Sequence, residues 1–460
     1  MLRPMIVAVL MLGGPAWAEA EVPTSRAQIQ MGFVPVVKTV TPAVVNIYAR
    51  RVIEGRASPF ADDPFFGQLF QNFGSQPPRV ENSLGSGVIL APDGIVVSNY
   101  HVVGQATDIR VVLNDRREYE ATVLLADQES DLAILQLTGA KDLPSLPLRD
   151  SENVEVGELA LAVGNPFGVG QTVSSGIVSG LARSGSVTGS TRGYFIQTDA
   201  PINPGNSGGA LVDTEGRLIG INTSILSRSG GSNGIGFAIP ATLVGQFMQQ
   251  ARAGATTFQR PWAGITGQPV TYDMVEGLGL ARSGGIILSD LHPASPFRAS
   301  GLKAGDVIIA VAGQEVNTPA EMIYRMSVAG IGTDLTITAV QGGVERDIAV
   351  PMEAAPETPP RDTQVTGGGA AVPGVTLSTI NPAVIAEYDL PLTSEPGVLV
   401  VDPGETGGRA GLRAGDVLLG IDGRAVSTSA GANTALQRAR GRLALDVQRG
   451  ERRLTMRFRL

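Results

Sequence analysis

The chain has 460 residues, 43% of them hydrophobic, with 35 basic and 43 acidic side chains, two histidines and no cysteine. A formal net charge of −8 and an isoelectric point near 5.1 argue against an electrostatic binder of nucleic acid. The cysteine and histidine counts exclude disulfides and a His/Cys zinc site, so a length of roughly two to four domains is held by burial.

Residues 1–18 read as a secretory signal. Arg3 supplies the positive start, Ile6 to Leu12 the apolar core and Ala16-Trp17-Ala18 a cleavage site, with Ala18-Glu19-Ala20 as a second one. The run is too short to span a membrane. Pro42 to Ile47 follows as a first strand. Residues 54–82 then interrupt the pattern, with Phe60, Phe65, Phe66, Phe70 and Phe73 set among prolines. A loop this long is a contact site or a floppy insertion.

Residues 84–145 alternate apolar and polar with turn signals, as a β-barrel requires, and 157–239 repeat the pattern. In the first stretch Gly87 to Leu90, a Pro92-Asp93-Gly94 turn and Ile95 to Val97 form a hairpin that delivers Ser98-Asn99-Tyr100-His101. Asp131 stands at the mouth of the apolar run Leu132 to Leu137. In the second stretch Gly205-Asn206-Ser207-Gly208-Gly209 exposes one hydroxyl between glycines. There the N–H groups of Gly205 and Ser207 can converge as an oxyanion hole, with Asn206 as a further backbone donor. Histidine is the usual base for a serine, and a carboxylate fixes its tautomer, so His101, Asp131 and Ser207 form a candidate triad. The same glycines match a nucleophile elbow, but a hairpin follows Ser207 rather than a helix, and the acid and histidine precede it. Residues 241–253 have helical spacing and close this part of the chain.

At these motifs, together with Gly164-Asn165-Pro166-Phe167-Gly168 and Gly234 to Pro240, the chain resembles the HtrA (Do/Deg) family of periplasmic serine proteases. The resemblance implies a mostly β protein, with a chymotrypsin-like double β-barrel followed by two small α+β PDZ domains. It implies an endopeptidase of the periplasm that degrades unfolded or damaged proteins without a cofactor. The long insertion would pack across the active site or a neighbouring subunit, through Phe65, Phe66 and Phe70. Arg183 aligns with an arginine that senses a bound activator, and the loops at 168–169, 183–191 and 227–233 are activation loops. The implied assembly is a trimer that stacks into larger cages. Ile202 and the segment Thr223, Ser224, Ile225 and Leu226 flank an apolar specificity pocket, so cleavage after Val, Ala, Ile or Leu is expected.

The remaining length contains a repeat: Gly301-Leu302-Lys303-Ala304-Gly305-Asp306 returns as Gly411-Leu412-Arg413-Ala414-Gly415-Asp416. The signature resembles PDZ domains, placed at 258–352 and 373–460 with a Pro/Gly/Ala/Thr-rich linker at 353–372. The protease domain then covers 19–257. A PDZ groove takes an extended peptide as an added strand and its carboxylate on loop N–H groups. Trp262, Ala263, Gly264 and Ile265 form that loop in the first copy, and Thr318-Pro319-Ala320-Glu321 caps the groove helix. The loop of the second copy, Gly374 to Leu377, is less distinct, and a structural role suits it as well. The competing functional class is a chaperone or adaptor in which proteolysis is secondary.

Overall fold

A computed structural model describes residues 32–53, 79–165, 170–184, 194–203, 205–225, 233–280, 283–392 and 396–459. The signal segment, Phe65, Phe66, Phe70 and Leu226 lie outside the described residues.

Helix α1 (Val34–Val40), with proline in its first turn, leads into the first barrel; the sequence pattern did not predict it. Strands β1 (Val44–Ile53), β2 (Arg79–Ala91), β3 (Ile95–Ser98), β4 (Asp108–Val112), β5 (Glu118–Asp127) and β6 (Leu132–Leu137) close in the order β1-β2-β3-β6-β5-β4. Gly94, at φ +89°, turns β2 into β3, as the Pro-Asp-Gly signal predicts. β1 and β2 pair out to Ile53 opposite Arg79. Residues 79–82 are therefore strand backbone and not part of the insertion, which leaves from the tip of this hairpin. Helix α2 (Tyr100–Val103) follows β3.

The second barrel contains β7 (Leu159–Gly164), β8 (Thr172–Ser184), β9 (Tyr194–Thr198), β10 (Ala210–Val212), β11 (Leu218–Ile225) and β12 (Gly236–Pro240), in the order β10-β11-β12-β9-β8-β7. Helix α3 (Ala241–Arg252) buries Leu243, Val244, Phe247 and Ala251 in the core that also holds Ile47, Ile89 and Leu135 of the first barrel. Burying each of the larger of these side chains, Leu243, Val244 and Phe247 among them, stabilises by about 1.5–3 kcal/mol.

Two sheet units follow. The first has β13 (Ile265–Pro269), β14 (Ile286–Leu291), β15 (Val307–Val311), β16 (Gln314–Glu315), helix α4 (Pro319–Ala329), β17 (Asp334–Gln341) and β18 (Val344–Pro351). Its order is β13-β14-β15-β17-β18, with β16 on β15. The Thr318 hydroxyl caps α4 at the Glu321 N–H, as predicted, but the Glu321 carboxylate takes the N–H of Asn317, one residue before the cap. The second unit has β19 (Gln364–Val365), β20 (Thr376–Thr379), β21 (Val398–Asp402), β22 (Val417–Ile421), β23 (Arg424–Ala425), helix α5 (Ser429–Arg438), β24 (Arg442–Arg449) and β25 (Arg452–Arg459). Its order is β19-β20-β21-β22-β24-β25. The repeated Gly-Leu-x-Ala-Gly-Asp makes the same turn twice. Asp306 accepts the Lys303 N–H at 3.0 Å, and Asp416 accepts that of Arg413 at 2.9 Å.

The expected linker is corrected in its second half. Gln364–Val365 pairs with β20, and Ala370 and Val372 are buried in the second unit's core. Small apolar residues that read as linker composition are here a packed first edge.

The first sheet unit is fastened to the barrels. Arg260 forks onto Asp127 at 3.1 and 2.5 Å and reaches the Ser130 hydroxyl at 2.7 Å. Burial works against the guanidinium charge, but the Asp127 hydrogen bonds outweigh it and raise the pKa. Tyr324 of α4 stacks on Tyr194 at 3.9 Å and donates to Glu152, which also holds Arg325. Replacing Arg260 with alanine strips the mostly buried Asp127 of its cation. The expected cost is about 3 kcal/mol. Thermal unfolding read by circular dichroism should show it; an unchanged midpoint would make the fork energetically silent.

Candidate active site

The turn between β3 and α2 is built around one carboxylate. The Asp131 carbonyl accepts the Tyr100 N–H (3.1 Å) and the Asn99 side-chain amide (2.9 Å). Its carboxylate accepts the His101 N–H (3.0 Å) and lies 2.9 Å from His101 Nδ1 through either oxygen. Asp131 adopts φ +53°, a left-handed conformation that aspartate tolerates better than most residues. That kink follows the turn in which Asp127 caps the Ser130 N–H at 2.7 Å. With Nδ1 facing a carboxylate, the neutral imidazole keeps its proton there, and Nε2 is left as the base. The His101 side chain is 50% exposed, so Nε2 is open to a substrate.

Ser207 approaches from the second barrel. Its carbonyl accepts the Ser86 N–H at 2.8 Å, so β2 of the first barrel holds the serine loop directly. The Ser86 hydroxyl donates to the Gly205 carbonyl (2.7 Å) and accepts the Asn165 N–H (2.9 Å). The Ser207 Oγ donates to the Thr223 carbonyl at 3.0 Å, and the Thr223 hydroxyl donates to Asp131 at 2.5 Å. Thr223 thus touches both the serine and the acid. The sequence placed it in the specificity pocket, and its sixteen-residue separation from Ser207 carried no signal of this double contact. Among the described residues no hydrogen bond joins Ser207 Oγ to His101.

The backbone donors divide unevenly. The Asn206 N–H donates to the Asn203 carbonyl at 2.9 Å, which removes it from the expected oxyanion hole. Among the described residues the N–H groups of Gly205 and Ser207 meet no such acceptor. Gly205 and Gly208 have φ of +96° and +83°. A Cβ at Gly208 would lie 2.1 Å from the Ser86 carbonyl oxygen and 2.5 Å from Ser98 Oγ. Gly208→Ala should therefore displace Ser207 and lower kcat by about 100-fold, the effect of roughly 1 Å of misplacement. Steady-state kinetics beside an unfolding curve measure this, and wild-type kcat would show that the turn absorbs the methyl.

Ile202 is 1% exposed in the second barrel's core, where its side chain fills the space above Gly236. Ser224 and Ile225 continue β11, but their side chains lie outside the described residues. Arg183 is not a loop residue; its backbone is in β8, opposite Phe195. A cleft of about 540 Å³ is lined by His101 and Asp131 together with Ala49, Arg51, Ser83 and Gln105, among others. The hairpin that bears the insertion is one wall of this cleft.

The loop Trp262–Ile265 is braced from outside. The Trp262 N–H donates to the Glu353 carbonyl (2.7 Å), the Ser295 hydroxyl to that of Ala263 (2.5 Å) and the His292 N–H to that of Gly264 (2.9 Å). Ile265 opens the edge strand β13. The corresponding loop of the second unit is closed. The Gly374 N–H donates to the Thr366 carbonyl and the Val375 N–H to the Thr366 hydroxyl, each at 2.9 Å.

Residues 85–221 match the trypsin-like peptidase domain, and residues 264–352 match the PDZ domain. The chain is 34% identical to a probable periplasmic serine protease do/HhoA-like of Haemophilus influenzae, over 94% of this chain and 93% of the relative. It is 36% identical to the periplasmic pH-dependent serine endoprotease DegQ of Escherichia coli, over 90% and 89% of the two chains. Among solved structures, an HtrA-type protease AlgW with decapeptide is 38% identical, at a TM-score of 0.53. That match covers 71% of this chain and 99% of the other.

Proposed function

Because the chain belongs to the HtrA-type family of periplasmic serine endoproteases, we propose that His101, Asp131 and Ser207 are the triad that performs its peptide hydrolysis. The observation that carries this reading is the Asp131 carboxylate, bonded at once to His101 Nδ1 and to the Thr223 hydroxyl beside Ser207. Rotation about χ1 of Ser207 takes Oγ from the Thr223 carbonyl to His101 Nε2, which accepts its proton as Oγ attacks the scissile carbonyl. The Gly205 and Ser207 N–H groups stabilise the developing oxyanion, and His101 returns the proton to the leaving amine. Asp131 stays ionised and holds the imidazolium. A fluorophosphonate probe followed by peptide mapping tests the assignment. Label on Ser207 that disappears in His101→Ala supports it, and label on another serine refutes it.

We further propose that substrates are unfolded polypeptides cut after small or aliphatic residues, in an apolar pocket flanked by Ile202 and the end of β11. The first sheet unit, 258–352, captures apolar C-termini on the Trp262–Ile265 loop and the edge of β13. The second unit serves structure or assembly, a reading supported by its internally bonded loop. Tethering raises the local substrate concentration to roughly millimolar. Gly264 has φ +60°, and a Cβ there would lie 2.7 Å from the Trp262 ring. Gly264→Ala should therefore weaken a fluorescent apolar C-terminal peptide by at least about tenfold and leave short-substrate hydrolysis intact. Unchanged affinity would remove the loop from the peptide site. The signal at 1–18, secretion to the periplasm, and a trimer joined through Phe65, Phe66 and Phe70 belong to the same reading. Solution mass of a triple serine variant at those positions tests the trimer contact. Arg183, at the end of β8, is the proposed sensor that links activator binding to the cleft loops.

A further inference from the structure

The two sheet units differ by one strand. In the first, β13 is the edge of its sheet, with the Trp262–Ile265 loop before it. In the second the equivalent strand, β20, is not an edge, because β19 (Gln364–Val365) pairs with it from outside. Gly374 precedes β20 as Gly264 precedes β13, and both have positive φ, +77° and +60°. A peptide captured by such a unit adds to this edge as a strand, with its last residue at the loop. The segment 361–366 lies in that place and runs in that direction. The Thr379 N–H donates to the Arg361 carbonyl at 2.7 Å, Gln364 stands opposite Leu377, and Val365 stands opposite Thr376. At the loop the Thr366 N–H donates to the Val375 carbonyl, and the Gly374 N–H donates to the Thr366 carbonyl, each at 2.9 Å. Among the described residues the Gly264 N–H has no such acceptor.

The side chains of the segment alternate as those of a bound peptide would. Thr366 is buried, and its hydroxyl donates to the Val372 carbonyl at 2.7 Å and accepts the Val375 N–H. Val365 is 61% exposed and so is not recognised. The Asn433 amide on α5 donates to the Gln364 side chain at 2.9 Å, and the Ser429 hydroxyl donates to the Asp362 carbonyl at 2.5 Å. Gly367, Gly368 and Gly369 follow, all exposed, and a Cβ at any of them would meet nothing within 4 Å. Glycine has the greatest conformational freedom of any residue. These three therefore form a hinge between the segment and Ala370 and Val372, which stay packed in the core.

We propose that residues 361–366 are an internal ligand that masks a second peptide site, formed by Gly374, Val375, β20 and α5. The site takes a polypeptide C-terminus that ends in a small hydroxylated residue, with an amide side chain two residues earlier. That preference differs from the apolar one proposed for the first unit. While the segment is in place the second unit is a structural element, and a competing C-terminus displaces the segment and opens the site. The segment competes at an effective concentration of roughly millimolar. The inference rests on the likeness between the two sheet units and not on the triad.

The probe is fluorescein-labelled Arg-Asp-Thr-Gln-Val-Thr with a free carboxylate, the sequence of residues 361–366. Anisotropy follows its titration with the full chain carrying Ser207→Ala, which stops cleavage, and Gly264→Ala, which impairs the loop of the first unit. Thr366→Pro removes the N–H and the hydroxyl that hold the segment. It should tighten binding by at least about tenfold, as expected where the open state is at most about a tenth populated. Thr366→Ala removes the hydroxyl alone and should shift affinity the same way by less, which keeps the inference decidable if proline unfolds the unit. The hydroxyls of Thr363 and Ser378 are 3.3 Å apart, within reach of a disulfide. Thr363→Cys with Ser378→Cys, in a chain that has no cysteine of its own, should abolish binding when oxidised and restore it in dithiothreitol. The C-terminal amide of the probe should bind at least about tenfold more weakly, because the loop N–H groups then lose a charged acceptor. Equal affinity of the Thr366 variants, the background chain and the oxidised chain overturns the proposal, and so does equal binding of the amide. Ser207 is absent from every chain titrated, so failure of the triad assignment would leave this result standing.

Discussion

Ser207→Ala is expected to lower kcat on unfolded casein by about 10⁶, to the limit of detection, with little change in stability. The size follows from the unit behaviour of a triad: once the nucleophile is gone, the base and the acid have nothing to activate, and oxyanion donors and binding alone remain. Among the described residues the Ser207 hydroxyl makes one hydrogen bond, to the carbonyl of Thr223 in β11. Removing Oγ therefore leaves the Ser86-to-Ser207 backbone bond and the surrounding glycine turn in place. His101→Ala should cost about as much, since Nε2 is the base that takes the Ser207 proton in the proposed triad. The readouts are single-turnover cleavage and an unfolding curve on the same preparation. Residual cleavage within about a hundredfold of wild type by either purified variant would move the nucleophile elsewhere.

Asp131→Asn is expected to lower kcat by about 10⁴ while KM changes little. An asparagine fills the same space, but its amide can turn an N–H toward His101 Nδ1. The imidazole then carries its proton on Nε2 and cannot act as base. Three donors converge on the native carboxylate: the His101 N–H, the His101 ring and the Thr223 hydroxyl. An amide has one oxygen for them, so one donor loses its partner as well. Aspartate also tolerates the φ of +53° at this position, and asparagine shares that tolerance, so the backbone should survive. A loss that appears mainly in KM would mean that Asp131 shapes the cleft and does not fix the tautomer. Raising the pH should not restore the variant, because the defect is one of tautomer and not of charge.

Much of the site was legible because its parts are local. A serine among glycines, a histidine after a Pro-Asp-Gly hairpin and an aspartate before an apolar run each state a backbone requirement within a few residues. The Thr318 cap and the twice-used Gly-Leu-x-Ala-Gly-Asp turn are of the same kind, since φ, side-chain reach and hydrogen-bond geometry are set by near neighbours. Tertiary structure alone decided the rest. It gave the Thr223 hydroxyl to Asp131, ninety-two positions away, and the Asn206 N–H to Asn203 in place of the oxyanion hole. It joined Arg260 to Asp127 across 133 positions and turned Ala370 and Val372 from linker into core. A hydrogen bond between distant residues depends on barrel closure and strand register, and neither leaves a periodicity in the chain. Burial of small residues likewise depends on which face meets them, and composition does not record that.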